Sequence, residues 1–461
     1  MYRSLFGLMC LLIVIVTSGT LCSNSGKVPD PITLQYWTVF TDQEDINSVI
    51  DAFKTTYPYI SIEVRQLVLE EYEHKLIEAW AQGEGPDIFS VPNSHLGAFK
   101  DLIEPLPTNL TITTVTQQEK LGKKETIYAP ATMRSTSIQE LSSTFPQVVY
   151  DDVVLSHQAK KNESAEEKIF GLPQSLDTMI LYYNKDLLNR AKIPLPAETW
   201  EEFVTQVPNL TLVDVDNNII QAGAALGTAD NIPRMFDIMS LLMMQNGAVM
   251  TVGERVNFAL ESETQADYFP GVRAVEFYTS FADSEVEWYS WNANQPDAFE
   301  SFVAGKVAYF LGYHYHLAEL ENRAPNLNFD IAPVPQVDLT TDISYANYWV
   351  ETVSVNSAQV DEAWAFVEAL TTDPTNVAAV LEKTERPAAL KALLADQQED
   401  YVLSIFANQT LTAQSWYAGV QPEEVEQQFA EMVTIINEGR LDVTTAVTNT
   451  ADKVELTYKA L

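Results

Sequence analysis

The residue of this sequence with the clearest chemical potential is an aspartate inside an apolar run. Asp177 lies in the stretch GLPQSLDTMILYYNKDLL, residues 171–188, whose leucines, methionine and tyrosines are typical of a buried strand. A carboxylate in such a strand is costly to desolvate unless hydrogen-bond donors reach it. The sequence leaves two interpretations of Asp177 open, a structural role and a role in binding a ligand.

Aromatic side chains are the second chemical signal. They fall near predicted strand ends or in polar loops such as YSWNANQP, YANYWVE and AQSWYAG. A single such residue belongs more often to a core. As a set, flat apolar rings with polar tips suit a ligand that has both C–H faces and hydroxyls. The set comprises Tyr36, Trp37, Trp288, Trp291, Tyr313, Tyr315, Tyr348, Trp349, Trp416 and Tyr417.

Metal sites find little support in the spacing of the ligand-type residues. The only close histidine pair lies in HYH at 314–316, and histidines two apart point to opposite faces of a strand. The sequence has no Cys/His cluster with zinc spacing. Asp214, Asp216 and Asn218 begin like a calcium loop, but Ile219 stands where that loop needs glycine. We therefore expect a hairpin turn there, and no metal.

Catalytic and cofactor motifs are absent from the sequence as well. It contains no phosphate-binding loop, no dinucleotide fingerprint and no G-x-S-x-G elbow. The 64 acidic residues allow many carboxylate pairs for glycoside hydrolysis, but nothing singles one out. We expect no cofactor and no enzymatic activity.

The elements that must position these residues alternate between strands and helices. Residues 32–40, 59–67 and 86–91 are β-rich and apolar, as strands are. Residues 42–57 and 72–81 between them have helical apolar spacing. Strand–helix–strand order of this kind predicts βαβ units and a parallel or mixed sheet.

Later segments continue the α/β pattern. Residues 306–311 and 329–335 are predicted strands, and residues 361–371 and 423–437 are predicted helices. Residues 110–158 are rich in Thr, Ser and Lys, and we interpret them as an elaboration of the first domain.

Charge and length exclude some classes of protein. A chain of 461 residues is long enough for about two to three domains. Its 64 acidic and 27 basic residues give a formal charge of −37, and no Lys/Arg-rich stripe appears. Because a phosphate backbone needs a basic patch, nucleic acid is not an expected partner.

The N-terminus has the pattern of an export signal. Residues 5–16 are almost wholly apolar and are followed by small residues, as in a signal peptide. Cys22 stands just after this run, where a bacterial lipoprotein carries its lipidated cysteine, although Leu21 replaces the usual small residue before it. Lipid anchoring through Cys22 is our expectation, with secretion of a free thiol as the alternative.

Five motifs, in order along about 400 residues, resemble one family. They are ITLQYWTVF with FKTTYPYISIEV, YEHKLIEAWAQGEGPDIFSVPNSHLGAF, FGLPQSLDTMILYYNKDLLNRAKIPLPAETWEEF, AFESFVAGKVAYFLGYH and DEAWAFVEALT. Together they resemble the extracellular solute-binding proteins of ABC importers, in the group that includes maltose- and other sugar-binding proteins. Tyr309 departs from the methionine usual in that family, and residues 110–158 have no counterpart that we can place.

The resemblance implies an α/β fold of two lobes joined by a hinge, the type II-like fold of periplasmic binding proteins, with the ligand in the cleft. The implied divisions are a signal peptide at 1–21, a tether at 22–31, a first lobe at 32–174 and 345–395, and a second lobe at 175–344 and 396–461.

The resemblance also implies which residues meet the ligand. Loops after the first and third strands line the cleft, the acid at position 177 binds sugar hydroxyls, and aromatic residues stack on the ligand. Transferred to this sequence, the expected ligand-binding residues are Trp37, Thr38, Phe40, Thr41, Asn93, Ser94, His95, Asp177, Trp291, Tyr313, Tyr315, Trp349 and Trp416.

The functional expectation that follows is an exported, monomeric receptor that binds a sugar or oligosaccharide by hinge closure and delivers it to an ABC permease. A receptor for another solute, such as a peptide or polyamine, is one alternative. The acids and aromatics leave a cationic solute open, and the few basic residues disfavour an anion. A secreted polysaccharide-degrading enzyme is the other alternative.

Overall fold

The computed structural model describes residues 28–120, 123–158, 160, 164–216 and 218–459. The predicted signal peptide and Cys22 lie outside the described residues. Within those described ranges, no helix is both long and apolar enough to cross a membrane.

Eighteen strands are found in the described part of the chain. In chain order they are β1 (Ile32–Thr38), β2 (Ile60–Gln66), β3 (Ile88–Pro92), β4 (Asn109–Lys120), β5 (Lys123–Arg134), β6 (Val154–His157), β7 (Glu166–Ile169), β8 (Asp177–Thr178), β9 (Ile180–Asn184), β10 (Leu212–Val213), β11 (Ile219–Ala224), β12 (Thr251–Val252), β13 (Arg255–Val256), β14 (Val307–Gly312), β15 (Phe329–Pro333), β16 (Ser344–Asn347), β17 (Trp349–Val353) and β18 (Ala413–Gln414).

Helices alternate with these strands, and short 3-10 turns at Asn93–His95 and Lys100–Leu102 flank the third helix. Within the described ranges the helices are α1 (Gln43–Thr56), α2 (Leu69–Gln82), α3 (Leu96–Phe99), α4 (Ile138–Thr144), α5 (Gln147–Val153), α6 (Lys185–Arg190), α7 (Trp200–Leu210), α8 (Met235–Gln245), α9 (Pro270–Ser280), α10 (Ala298–Val303), α11 (Tyr315–Arg323), α12 (Val360–Thr371), α13 (Pro374–Thr384), α14 (Lys391–Gln397), α15 (Leu403–Thr410), α16 (Pro422–Asn437) and α17 (Val443–Leu456).

The first lobe is built on a four-stranded sheet in the order β17-β3-β1-β2. Strand β1 runs parallel to both β2 and β3, and β17 pairs antiparallel with β3. The apolar faces of α1 and α12 pack on this sheet, with Ile46, Phe53 and Phe366 among the buried residues of its core. The predicted βαβ arrangement is confirmed, with element ends displaced by one to three residues.

The second lobe has its own five-stranded sheet, in the order β10-β11-β14-β9-β15. Its core is a separate cluster that includes Leu181, Phe203, Leu242 and Phe429. The expected hairpin around residues 214–218 is present as the antiparallel pair β10–β11. The molecule is therefore a mixed α/β fold with two hydrophobic cores.

A small third sheet lies where the chain passes between the two cores. Its strand order is β18-β16-β8. The cores change membership between Leu176 and Met179 around β8, and between Tyr345 and Ala346 within β16. We call β8, β16 and β18 the crossing sheet. Helix α15, which precedes β18, contributes to both cores.

The composition of the apolar run that contains Asp177 predicts one strand, but the run does not form a single strand. It divides into β8 in the crossing sheet and β9 in the sheet of the second lobe. Met179 lies between the two strands, and its N–H bonds to the carbonyl of Tyr345 at 2.9 Å. The run is buried because it passes through the junction of both lobes, which sequence hydrophobicity alone does not distinguish from a central strand.

In the segment 110–158, the described residues form the long antiparallel strand pair β4 and β5, followed by α4, α5 and β6. Leu110 and Ile112, near the start of β4, are buried in the first core. This segment is therefore an extension of the first lobe, in agreement with its interpretation from sequence.

Asp152 on α5 joins the first lobe to the crossing segments. Its carboxylate accepts hydrogen bonds from Asn93 Nδ2 at 3.0 Å, from Tyr348 Oη at 2.6 Å and from Ser415 Oγ. Burial raises the pKa of Asp152 to about 6, and its hydrogen bonds oppose that shift. One carboxylate thus holds the loops after β3, β16 and β18 together.

We expect Asp152→Ala to lower the free energy of unfolding by about 1–3 kcal/mol, because three donors lose their acceptor. Urea denaturation measures the change. The control is Asp151→Ala on the same helix, whose exposed carboxylate accepts a hydrogen bond from Gln147 Nε2, and which should change stability by about 0.5 kcal/mol or less. Equal effects of the two substitutions would contradict this role for Asp152.

Candidate ligand-binding cleft

A cavity of about 280 Å³ lies between the lobes, and we call it the central cavity. Both lobes and both crossing strands β8 and β16 contribute to its wall. Its lining consists of Thr38, Phe40, Thr41, Ser90, Gln174, Ser175, Asp177, His314, Tyr315, Ala318, Asn347, Tyr348, Trp349, Glu351, Thr384, Arg386 and Pro387.

Asp177 lines the central cavity from β8, directly opposite Asn347 on β16. Its two carboxylate oxygens lie 2.9 and 3.2 Å from the backbone nitrogen of His314, which donates to them. Burial raises the pKa of Asp177 to about 8, although this backbone bond favours the charged form. The carboxylate is therefore anchored, but it keeps acceptor positions for a ligand, since a carboxylate offers about four lone-pair sites.

Glu351 places a second carboxylate in the same cavity, and sequence reasoning missed it. It lies on β17, is buried, and accepts a hydrogen bond from Ser90 Oγ at 2.7 Å. Burial raises the pKa of Glu351 to about 7. The signal was available, because Glu351 interrupts the strand-like WVETVSV as Asp177 interrupts its own run.

Arg386 brings a guanidinium to the cavity from the turn after α13. It donates to the carbonyl of Phe40 and to Thr41 Oγ1, the latter at 3.4 Å. Burial is the main reason that the pKa of Arg386 lies below its usual value. The arginine thereby holds the loop after β1 against the cavity, and no motif in the sequence points to this role.

Aromatic rings form the apolar part of the wall. Phe40 meets Trp349 edge to face, with ring centroids 5.4 Å apart. Tyr315 lies beside Asp177 in the lining and is 45% exposed. Phe40 is 40% exposed, so both of these rings are accessible to a solute.

A second cavity of about 210 Å³ adjoins the first, and we call it the flanking cavity. The two cavities share Asn347 and Trp349. Three predicted ligand residues, Asn93, Ser94 and His95, line the flanking cavity instead of the central one.

Of the thirteen expected ligand-binding residues, nine line one of these cavities. In the central cavity are Thr38, Phe40, Thr41, Asp177, Tyr315 and Trp349, and in the flanking cavity are Asn93, Ser94, His95 and again Trp349. The other four do not line either cavity.

Two of those four are core residues of the second lobe, which corrects the expectation for them. Trp291 is 0% exposed, and its Nε1 donates to Asn231 Oδ1 at 3.1 Å. Tyr313 is also 0% exposed and donates to Asp237 Oδ2 at 2.5 Å. Their polar tips are satisfied inside the protein, so neither ring is available to a solute.

The remaining two are placed by packing beside the cleft. Trp37 is buried in the first core, with the guanidinium carbon of Arg65 4.4 Å from its ring centroid. Trp416 packs against the second core, and its Nε1 donates to Ser240 Oγ at 2.9 Å. Neither residue lines the central or the flanking cavity, and their part in binding stays a prediction.

Comparisons with known proteins agree on the family. A sequence model described as "Bacterial extracellular solute-binding protein" matches residues 48–403. The galactooligosaccharide-binding protein of Bacillus subtilis (strain 168) is 24% identical over 169 residues, which is 36% of this chain and 31% of that relative. The chain therefore aligns with less than a third of that relative's length.

Solved structures reproduce the fold over nearly the whole chain. A solute-binding protein of an ABC transporter from Thermotoga lettingae, bound to α-D-tagatose, matches with a TM-score of 0.66 at 20% identity and covers 93% of this chain and 100% of that chain. The maltose-binding protein MalE of Listeria monocytogenes, in complex with maltose, matches with a TM-score of 0.67 at 17% identity, covering 93% and 99%. With the two-lobed fold, the interlobe cavity and the family match over residues 48–403, the chain belongs to the bacterial extracellular solute-binding protein family.

Proposed function

We propose that this chain is a receptor that binds a mono- or disaccharide in the central cavity and delivers it to an ABC permease. The observation that carries the proposal is the wall of that cavity, in which two carboxylates, one guanidinium and several aromatic rings surround about 280 Å³. That volume is at the lower end of small-molecule sites, which span about 300–1,000 Å³. The tagatose and maltose bound to the Thermotoga and Listeria proteins support a solute of this size, and the name of the Bacillus galactooligosaccharide-binding protein supports a carbohydrate in general.

The chemistry of the wall matches the two surfaces of a sugar. Carboxylates such as Asp177 and Glu351 accept hydrogen bonds from hydroxyls, and the Arg386 guanidinium donates to hydroxyl or ring oxygens. Tyr315, Phe40 and Trp349 offer flat apolar faces for the C–H side of a pyranose ring. The guanidinium in the wall disfavours a polyamine, because it would repel a cationic solute.

Solute binding is proposed to act through lobe closure. Residues 32–174 with 345–395 would move as one lobe, and residues 175–344 with 396–461 as the other, about the crossing sheet. Because both lobes contribute to the cavity wall, a bound solute makes more contacts when the lobes are close, and it favours that state by this difference.

Family membership implies that the protein is exported, and the family consists of binding proteins. The finer proposal is that Cys22 carries a lipid that anchors a monomeric receptor at the outer face of the membrane, where the permease takes over the solute. Stable attachment to a membrane usually requires two lipid chains, or one chain and a second anchoring signal. A cysteine that carries a diacyl lipid would supply two chains.

We expect a panel of sugars to raise the melting temperature of the exported chain, whereas peptides and polyamines leave it unchanged. Asp177→Ala and Glu351→Gln should each weaken sugar binding roughly 10- to 100-fold, because changing the acceptor leaves a buried hydroxyl of the sugar without a good hydrogen bond, at a cost of about 1–3 kcal/mol. Isothermal titration calorimetry measures the affinities.

The control for these variants is Glu382→Gln, an acid-to-amide change at an exposed position of α13. It should bind sugar as the wild type does. Stabilisation by peptides or polyamines in place of sugars would overturn the proposed solute class. If the protein hydrolysed the stabilising sugar and an acid-to-amide variant did not, the protein would be an enzyme. If Asp177→Ala unfolds the solute-free protein, Asp177 has a structural role instead.

Asp177 also makes solute-free stability depend on pH. In the unfolded chain this carboxyl is ionised above about pH 4, but in the folded protein its pKa of about 8 keeps it protonated to higher pH. The folded state binds more protons, so stability is lost as pH rises through about 8. Between pH 7 and 8.5 we expect a loss of about 1–2 kcal/mol in the wild type and a smaller loss in Asp177→Asn.

Urea denaturation at the two pH values tests this expectation. The range avoids the opposing effect of His314 and His316, whose pKa values are lowered by burial to about 4 and 3. Because histidines in the unfolded chain titrate near pH 6.5, their contribution to the pH dependence is nearly complete by pH 7. An equal loss in Asp177→Asn and wild type would contradict the raised pKa of Asp177.

A further inference from the structure

Three metal-ligating side chains meet at the rim of the flanking cavity, outside the proposed sugar site. The Nε2 atom of His95 lies 3.6 Å from Glu73 Oε1 and 3.5 Å from Glu423 Oε1. One candidate ligand atom from each residue lies within 4.8 Å of the others. We propose that Glu73, His95 and Glu423 bind a divalent zinc ion that joins the two lobes.

The three ligands come from both sides of the cleft. Glu73 lies on α2 and His95 in the 3-10 turn after β3, and the neighbours Tyr72 and Leu96 are buried in the first core. Glu423 lies in the first turn of α16, whose buried face packs in the second core. An ion held by all three would therefore bridge the lobes directly.

The distances fit ligands of zinc better than hydrogen-bonded partners. Tetrahedral zinc with bonds of about 2.0–2.1 Å to nitrogen and oxygen separates its ligand atoms by about 3.3 Å. The observed 3.5 and 3.6 Å are close to that separation. A good N–H···O bond would be shorter, at about 2.7–3.2 Å. Glu423 is exposed, so its side chain is not held in place by a surrounding core.

The imidazole of His95 is oriented for coordination through Nε2. Its Nδ1 atom lies 3.0 Å from Ser94 Oγ. When Nδ1–H donates to this hydroxyl, the lone pair of Nε2 faces the two carboxylates, which is the usual arrangement of a metal-bound histidine. The same contact fixes the plane of the ring.

Charge and access also favour a cation. Two carboxylates balance the charge of a divalent ion, and the chain as a whole carries −37. Glu426, one turn after Glu423 on α16, lines the flanking cavity together with Glu73 and His95. The fourth position of a tetrahedral ion would be open to water from the cavity.

The backbone keeps the two sides of this site close together. A Cβ atom on Gly97 would lie 2.3 Å from the carbonyl oxygen of Gly419 and 2.5 Å from that of Ala418. Residues just after His95 thus touch residues just before Glu423, and only glycine permits the approach. Zinc would stabilise this arrangement of the lobes, since the three ligand residues move apart when the lobes separate.

The test is zinc titration of the metal-stripped, sugar-free protein by calorimetry. We expect one zinc ion per chain, with affinity reduced more than about 100-fold in His95→Ala and in Glu423→Gln, because even changes beyond the ligands cost roughly 10- to 100-fold. The controls are His74→Ala, an exposed histidine of α2, and Glu424→Gln, the neighbour of Glu423, which should bind zinc as the wild type does.

Circular dichroism of each variant without zinc shows that it is folded. Absence of binding, or equal binding by His95→Ala and wild type, would overturn the proposal. The proposal would also be overturned if acidic pH alone stabilised the protein with EDTA present. Protonated His95 would then form an ion pair with the carboxylates without metal. Zinc binding does not depend on the solute, so failure of the sugar proposal would leave this result unchanged.

Discussion

The structure depends on the pairing of three chain crossings into one small sheet. Strand β16 is paired on one side with β8 and on the other with β18, so three segments at the junction of the cores are tied together by backbone hydrogen bonds. Asp152 adds side-chain bonds to the loops beside these strands. The crossing sheet contributes Asp177 and Asn347 to the wall of the central cavity, and it is the element about which we propose that the lobes close.

Electrostatics in the cleft follow from burial at this junction. Asp177 lies on β8, where the chain passes between the cores, and Glu351 lies on β17 of the first-lobe sheet, and burial in the cavity wall is the main influence on both carboxyls. Their pKa values rise because the charged form is poorly solvated there. Hydroxyls of a solute would donate hydrogen bonds to these carboxylates in place of water. Binding of a polar ligand would therefore offset part of the cost of desolvating them.

Among the residues that the family resemblance implied for the cleft, those in loops after strands line the cavities more often than the aromatic residues do. The loops after β1 and β3 do line cavities, because parallel strands bring their carboxyl ends to one edge of a sheet. Aromatic identity was a weaker guide. Trp291 and Tyr313 find internal partners, and whether a polar tip is satisfied inside depends on neighbours distant in sequence.

The sequence by itself determined the α/β elements, the hairpin near residue 216 and the family. Apolar periodicity and the order of motifs are read along the chain, without knowledge of which distant residues meet. Tertiary structure alone decided which polar residues meet. Glu351 and Arg386 join Asp177 from positions more than 170 residues away, and Glu423 meets His95 across 328 residues. The spacing of these residues along the chain does not predict such contacts, since they arise where two independently packed lobes face each other.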